Sequence, residues 1–140
     1  MVQIELQLNL PRDARYVAVL RKVAASLLDG LDVPRDSIDD LTIALSEACG
    51  NVVLHARGSE EYGVHVTVAA RACMIEVRDR GRGLDRATLE AAVAANPPRT
   101  AECGRGLPLI RALMDDVQLV RHHRTTTVRL IKRWDAASLR

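Results

Sequence analysis

"SEACGNVVLHA", residues 46–56, places a glutamate, Glu47, and an asparagine, Asn51, four positions apart in a run otherwise made of small and apolar residues. Four positions is about one helical turn, so on a helix the two side chains point the same way, and His55 extends that face by another turn. Ile38, Leu41, Leu45, Ala48 and Val52 form the apolar stripe of the same segment. At about 100° per residue, Glu47 and Asn51 fall on the far side of the helix from it. They are therefore expected outside the core. "SIDD", residues 37–40, has the form of a helix-capping box and predicts a helix start at Ser37. Taken alone, a glutamate and an asparagine at this spacing read as a solvated polar face. A second reading is chemical. Asn51 offers a neutral amide oxygen to Mg²⁺, a hard cation that prefers oxygen ligands, and Glu47 can polarise a hydroxyl or water attacking a phosphate.

Around this segment the chain allows one α+β domain. It has 140 residues, of which 48% are hydrophobic, enough for a sizeable core and too many for a disordered chain. Phe is absent, so the core must come from Val, Leu, Ile and Ala. The net charge of +2 is spread over mixed acids and bases, which argues against a dedicated nucleic-acid surface. Neither a signal peptide nor an apolar run of membrane-spanning length is visible. Cys49, Cys73 and Cys103 are odd in number and lack metal-site spacing. A cytoplasmic protein is expected, with no direct contact to nucleic acid or membrane.

The N-terminal residues 2–10 alternate as a strand that Pro11 stops, and residues 14–28 carry helical spacing before Gly30 and Pro34 break the chain. Tyr62 to Ala70 and Cys73 to Asp79 predict a hairpin around Arg71. A short helix is expected over 86–95, and another from near Gly106 to Met114 with Pro108 in its first turn. Residues 117–121 and 125–133 predict two last strands, with His122 and His123 at a strand-end turn. Arg129, Lys132 and Arg133 read as solvated surface.

Two glycine-rich stretches add to the opening pair. "DRGRGLD", residues 79–85, follows a strand, and Gly81 and Gly83 would let backbone approach a ligand ring closely. Asp79 can accept a hydrogen bond from an exocyclic amine, which adenine has and guanine lacks at that ring position. "GRGLPLIRALMDDV", residues 104–117, puts Gly104, Arg105, Gly106 and Leu107 at the entry to a helix, whose N-terminus favours an anion. Each stretch also reads as an ordinary turn or core helix. No P-loop and no dinucleotide-binding glycine motif is present.

In order and spacing together, these motifs resemble the GHKL (Bergerat-fold) ATPase superfamily, and within it the bacterial anti-sigma factor serine/threonine kinases. The family's N box matches Glu47, Asn51 and His55, its first glycine box Asp79, Gly81 and Gly83, its second Gly104 and Gly106, and its terminal strand Thr126 and Val128. The resemblance covers residues from about 10 to 133, with the whole of 1–140 as one ATP-binding domain. It implies a two-layer α/β sandwich: a mixed, mostly antiparallel sheet with helices on one face, and a lid over residues 84–105. It further implies ATP and Mg²⁺ as cofactors, Glu47 as general base and Asn51 as the Mg²⁺ ligand. Asp79, supported by Thr126, would read adenine, with His55, Gly81, Gly83 and Gly104 to Leu107 lining the nucleotide. The implied partners are a sigma factor and an anti-anti-sigma (STAS-domain) protein phosphorylated on serine, with the chain as a homodimer. Thr125 stands where the family usually has glycine, a departure that bears on the width of the adenine pocket. A kinase-inactive ATP-binding module, a stand-alone ATPase and a histidine-kinase-type catalytic domain remain alternatives.

Overall fold

Alternation of side chains in the strands and 3.6-residue spacing in the helices generate eight elements among the described residues, in the order strand, helix, helix, strand, strand, helix, strand, strand. The computed structural model describes residues 3–55, 60–79, 102–123 and 125–135. The elements are β1 (Ile4–Pro11), α1 (Ala14–Gly30), α2 (Arg35–His55), β2 (Glu61–Val68), β3 (Ala72–Asp79), α3 (Glu102–Leu113), β4 (Asp116–His122) and β5 (Thr125–Arg133). The expected helix over 86–95 and most of the implied lid, residues 84–101, lie outside the described residues.

The sheet has the order β1-β2-β3-β5-β4, so β3 is its centre. All four pairings are antiparallel, in keeping with the mostly antiparallel sheet that the resemblance implied. The β2–β3 hairpin turns over Ala69–Ala72, as expected, with the Ala69 N–H donating to the Ala72 carbonyl at 2.8 Å.

The apolar face of the sheet is covered by α2, which packs against β3 and β5 beneath it and against α1 and α3 on its flanks. Leu41, Ala44, Leu45, Ala48 and Cys49 of α2 are buried against Val66, Ile75, Val77 and Leu130 of the sheet and Ile110 of α3 in one core cluster. The opposite face carries a polar row in register, Gln7–His65–Glu76–Arg129–Gln118. Among the described residues, no helix is long and apolar enough to cross a membrane.

Three local expectations change. Helix α2 starts at Arg35 rather than at Ser37, because the Pro34 carbonyl already accepts the Ile38 N–H at 3.0 Å, and Ser37 is buried inside the first turn. Gly30 is the last residue of α1, and the left-handed position falls on Asp32, with φ 60. There Asp32 N–H donates to Asp29 and Val33 N–H to Leu28, both at 3.1 Å, a Schellman closure sealed by the buried Leu28 and Val33. Finally, α3 begins at Glu102, so Pro108 is interior and leaves the Gly104 carbonyl without its helical donor.

Two of the basic residues read as solvated are paired. The Lys132 ammonium donates to the Leu113 carbonyl at the end of α3 and lies 2.9 Å from the Asp40 carboxylate of α2, so β5 ties both helices. Arg129 lies against Glu76 at 2.9 Å.

Candidate functional site

Period-2 alternation brings Tyr62 of β2, Asp79 of β3 and Thr126 of β5 into one line, because Asp79 is the register partner of both others. All three are buried, Asp79 to 3% exposure, at the C-terminal end of the central strand. Arg12, in the turn between β1 and α1, donates from Nη2 to Asp79 Oδ1 at 2.6 Å. Its own N–H is held by the Glu60 carbonyl at 2.9 Å, which anchors the turn. On the other side, Arg121 of β4 donates to Thr126 Oγ1 at 3.1 Å.

The second carboxylate oxygen, Asp79 Oδ2, is buried and has no hydrogen-bond partner among the described residues; the same holds for the Tyr62 hydroxyl. A buried polar atom left unpaired costs about 1–3 kcal/mol, so a cluster of them marks a place where stability is given up for something else. Burial raises the Asp79 carboxyl above the usual aspartate range, and the Arg12 guanidinium opposes that rise. The floor of the site is thus a carboxyl with one oxygen clamped and one oxygen free to accept.

Helix α2 lies above this floor. The Cys49 thiol, pushed up to about 12 by burial, faces the Tyr62 hydroxyl, itself raised by burial and by that thiol. A thiol that stays protonated is a poor nucleophile, so Cys49 serves packing. Its contact with Tyr62 docks α2 against β2 at this end of the sheet. Asn51 is 7% exposed and Glu47 is half-buried. Both were expected on an open face. The expectation fails for Asn51 because α2 is covered by two helices as well as the sheet, so little of its circumference faces water.

His55 is the last residue of α2. Gly81 and Gly83 lie outside the described residues. Gly104, Arg105 and Gly106 have helical backbone within α3, where a loop ahead of the helix was expected. Leu107 is fully buried beside Ile110, so its side chain serves the core. The structure thus brings Asp79 and Thr126 together under α2.

Three residues at this floor escaped the sequence reading. Arg12 is separated from Asp79 by 67 positions and carries no motif. Arg121 gave no signal beyond its charge. Tyr62 was discernible in principle: it is one of two tyrosines in the chain, on the inward phase of a strand.

Residues 10–132 match the histidine kinase-like ATPase domain family. The chain belongs to this family. Among its curated relatives are serine-protein kinases. This histidine kinase-like ATPase is 32% identical over 135 residues to the serine-protein kinase RsbW of Bacillus cereus (strain G9842), an overlap of 91% of this chain and 84% of that protein. It is 33% identical, with the same coverage, to RsbW of Bacillus anthracis. In fold it is similar to the RsbU and RsbW domains of a Mycobacterium tuberculosis protein, with a TM-score of 0.70 at 19% identity. That overlap is 93% of this chain but 32% of the mycobacterial one. It is similar also to a chain of the SiaB–SiaC complex from Pseudomonas aeruginosa, with a TM-score of 0.65 at 14% identity over 90% of this chain and 88% of that one. The two-layer architecture, an antiparallel sheet with helices on one face, is the fold of these neighbours.

Proposed function

We propose that the chain is an ATP-dependent serine kinase and anti-sigma factor. In this reading it holds a sigma factor and phosphorylates a serine of an anti-anti-sigma (STAS-domain) protein, so that the two partners exchange on it. Membership in the histidine kinase-like ATPase family and kinship to serine-protein kinases support it. The observation that carries it is the buried, unpaired Oδ2 of Asp79 beneath the helix of Glu47 and Asn51.

The residues fit Mg·ATP. An ionised carboxylate oxygen with no other donor suits the exocyclic amine of adenine, and Thr126, in register with Asp79, supports the same ring edge. Asn51 would supply one neutral oxygen to Mg²⁺, which keeps waters and phosphate oxygens as its other ligands. Once bound, the ion would neutralise charge on the phosphates. Glu47, half-buried one turn away, would accept the proton of the attacking serine hydroxyl as its oxygen bonds to the γ-phosphorus and ADP leaves. His55, Gly81, Gly83, Gly104, Arg105, Gly106 and the backbone of Leu107 would contact the nucleotide along its length. A homodimer belongs to the same reading.

The test uses the purified chain with γ-labelled ATP and candidate STAS proteins. Label transferred to a partner serine is the expected result, together with release of a bound sigma factor when the unphosphorylated STAS protein is added. Nucleotide binding without transfer to any STAS protein would reduce the reading to an ATP-binding module. Release of labelled phosphate alone would make the chain a plain ATPase.

A further inference from the structure

We propose that Arg12 determines the base specificity of the nucleotide site: by donating to Oδ1 of Asp79 it keeps the carboxylate an acceptor and leaves Oδ2 as the oxygen offered to the base. The inference rests on the reading of Asp79 as the adenine contact and adds a residue to it.

The geometry is that of a clamp. The Nη2–Oδ1 distance is 2.6 Å, and the two side chains are 15% and 4% exposed. Arg12 reaches Asp79 from a turn pinned at both ends: Arg12 N–H bonds Glu60, and Asp13 begins α1 as its N-cap, accepting from Arg15 N–H at 2.9 Å. A carboxylate gripped at one oxygen cannot rotate freely, so its second lone-pair edge has a fixed direction. That edge belongs to Oδ2, the atom with no partner among the described residues.

Charge matters as much as direction. The groups facing Asp79 are Arg12 from the β1–α1 turn, the Tyr62 hydroxyl from β2 with the Cys49 thiol of α2 behind it, and Thr126 from β5 with Arg121 of β4 behind it. Tyr62 and Cys49 stay neutral because burial raises both. Among the described residues, Arg12 is therefore the cation in direct contact with the carboxylate. Burial favours the protonated carboxyl, and Arg12 opposes it. The two protonation states read different bases. An ionised Oδ2 accepts from the adenine amine. A protonated carboxyl presents an O–H donor, which suits the guanine oxygen at the same ring position. Removing Arg12 should move the site from the first state toward the second.

The experiment measures Mg·ATP and Mg·GTP affinity by calorimetry between pH 5.5 and 8.5 for wild type, Arg12→Gln, Arg12→Lys, Asp79→Asn and the double variant Arg12→Gln/Asp79→Asn. Arg12→Gln should weaken ATP binding about tenfold near neutral pH, the scale of one charge-assisted hydrogen bond. Its ATP affinity should fall off with acidification at a higher pH than in wild type, and its preference over GTP should narrow there. Arg12→Lys, which keeps the cation, should restore most of the preference. The double variant should bind ATP no worse than Asp79→Asn alone. It also pairs the buried acid's replacement with a neutral partner, so it reports even where Arg12→Gln does not fold. Arg12→Gln with the wild-type pH profile, or losses that add in the double variant, would overturn the clamp while leaving Asp79 as the adenine contact. Undiminished ATP preference in Asp79→Asn would instead remove the adenine reading, and the clamp with it.

Discussion

Strand β3 carries two buried carboxylates three positions apart, Glu76 and Asp79, and therefore on opposite faces of the sheet. Each has an arginine against it, Arg129 at 2.9 Å for Glu76 and Arg12 at 2.6 Å for Asp79. They differ in what is left over. Glu76 Oε2 takes both Nε and Nη2 of Arg129, its Oε1 lies 3.6 Å from His65 Nδ1, and Arg129 passes the row on to Gln118 at 3.0 Å. That network closes on itself. Asp79 has one oxygen clamped and one buried without a partner among the described residues, beside a tyrosine hydroxyl in the same condition. A closed network of charges holds a sheet together; an open one is a site awaiting a donor.

The sharpest extension of this contrast goes to a third acid, Glu47, half-buried on α2. Glu47→Gln should slow phosphotransfer to a STAS partner by about 10²–10⁴-fold, the usual range for a general base, with ATP affinity retained. Single-turnover transfer of labelled phosphate checks this, and equal loss of nucleotide binding would show that Glu47 holds the ligand instead.

Asp79→Asn comes next. The variant should lose about 1.5–3 kcal/mol of ATP binding, the scale of a hydrogen bond to a charged group, and most discrimination against GTP. Calorimetry measures both. Glu76→Gln should do the reverse: ATP affinity unchanged, but folding stability lower by about 1–3 kcal/mol because Arg129 loses its charged partner beneath the His65 ring. Urea titration of the two variants side by side would break the contrast if Glu76→Gln impaired nucleotide binding or left the midpoint unmoved.

The smallest effect is a pH dependence. The folded-state carboxyl of Asp79 is raised by burial above its ordinary value of 3.8. For a raised carboxyl the folded state binds its proton more tightly than the unfolded chain does. The stability it contributes is therefore complete below 3.8 and is lost as pH rises through the higher folded value. Relative to Asp79→Asn, wild type should accordingly lose stability as pH rises above about 4. Urea midpoints at stepped pH test the sign, and a difference that grew in favour of wild type would mean that Arg12 outweighs burial.

Much of the fold is legible in the order of the residues. Strands β1, β4 and β5, the β2–β3 hairpin and helix α1 follow from periodicity, because alternation and helical spacing record which face of each element meets the core. The line of Glu47, Asn51, Asp79 and the two glycine boxes carries a recognisable order even though each piece alone is ordinary. Boundaries are less legible. The start of α2 at Arg35 is hidden because the Pro34 carbonyl closes the first turn without a side-chain cap, and α3 runs through Pro108, which local rules place in a first turn.

By itself, then, the sequence determined the fold class and the residue types of the proposed nucleotide site, since both are written in local spacing that a single chain segment contains. Tertiary structure alone decided how those residues are surrounded. Asn51 is buried because α1 and α3 close over a helix face that looks open on its own. Lys132 joins α2 to α3, and Arg129 answers Glu76, because strand register sets which side chains face each other. Arg12 meets Asp79 across 67 positions of chain. Pairings of that kind depend on sheet order and on the burial of both partners, and those exist only once the chain has packed.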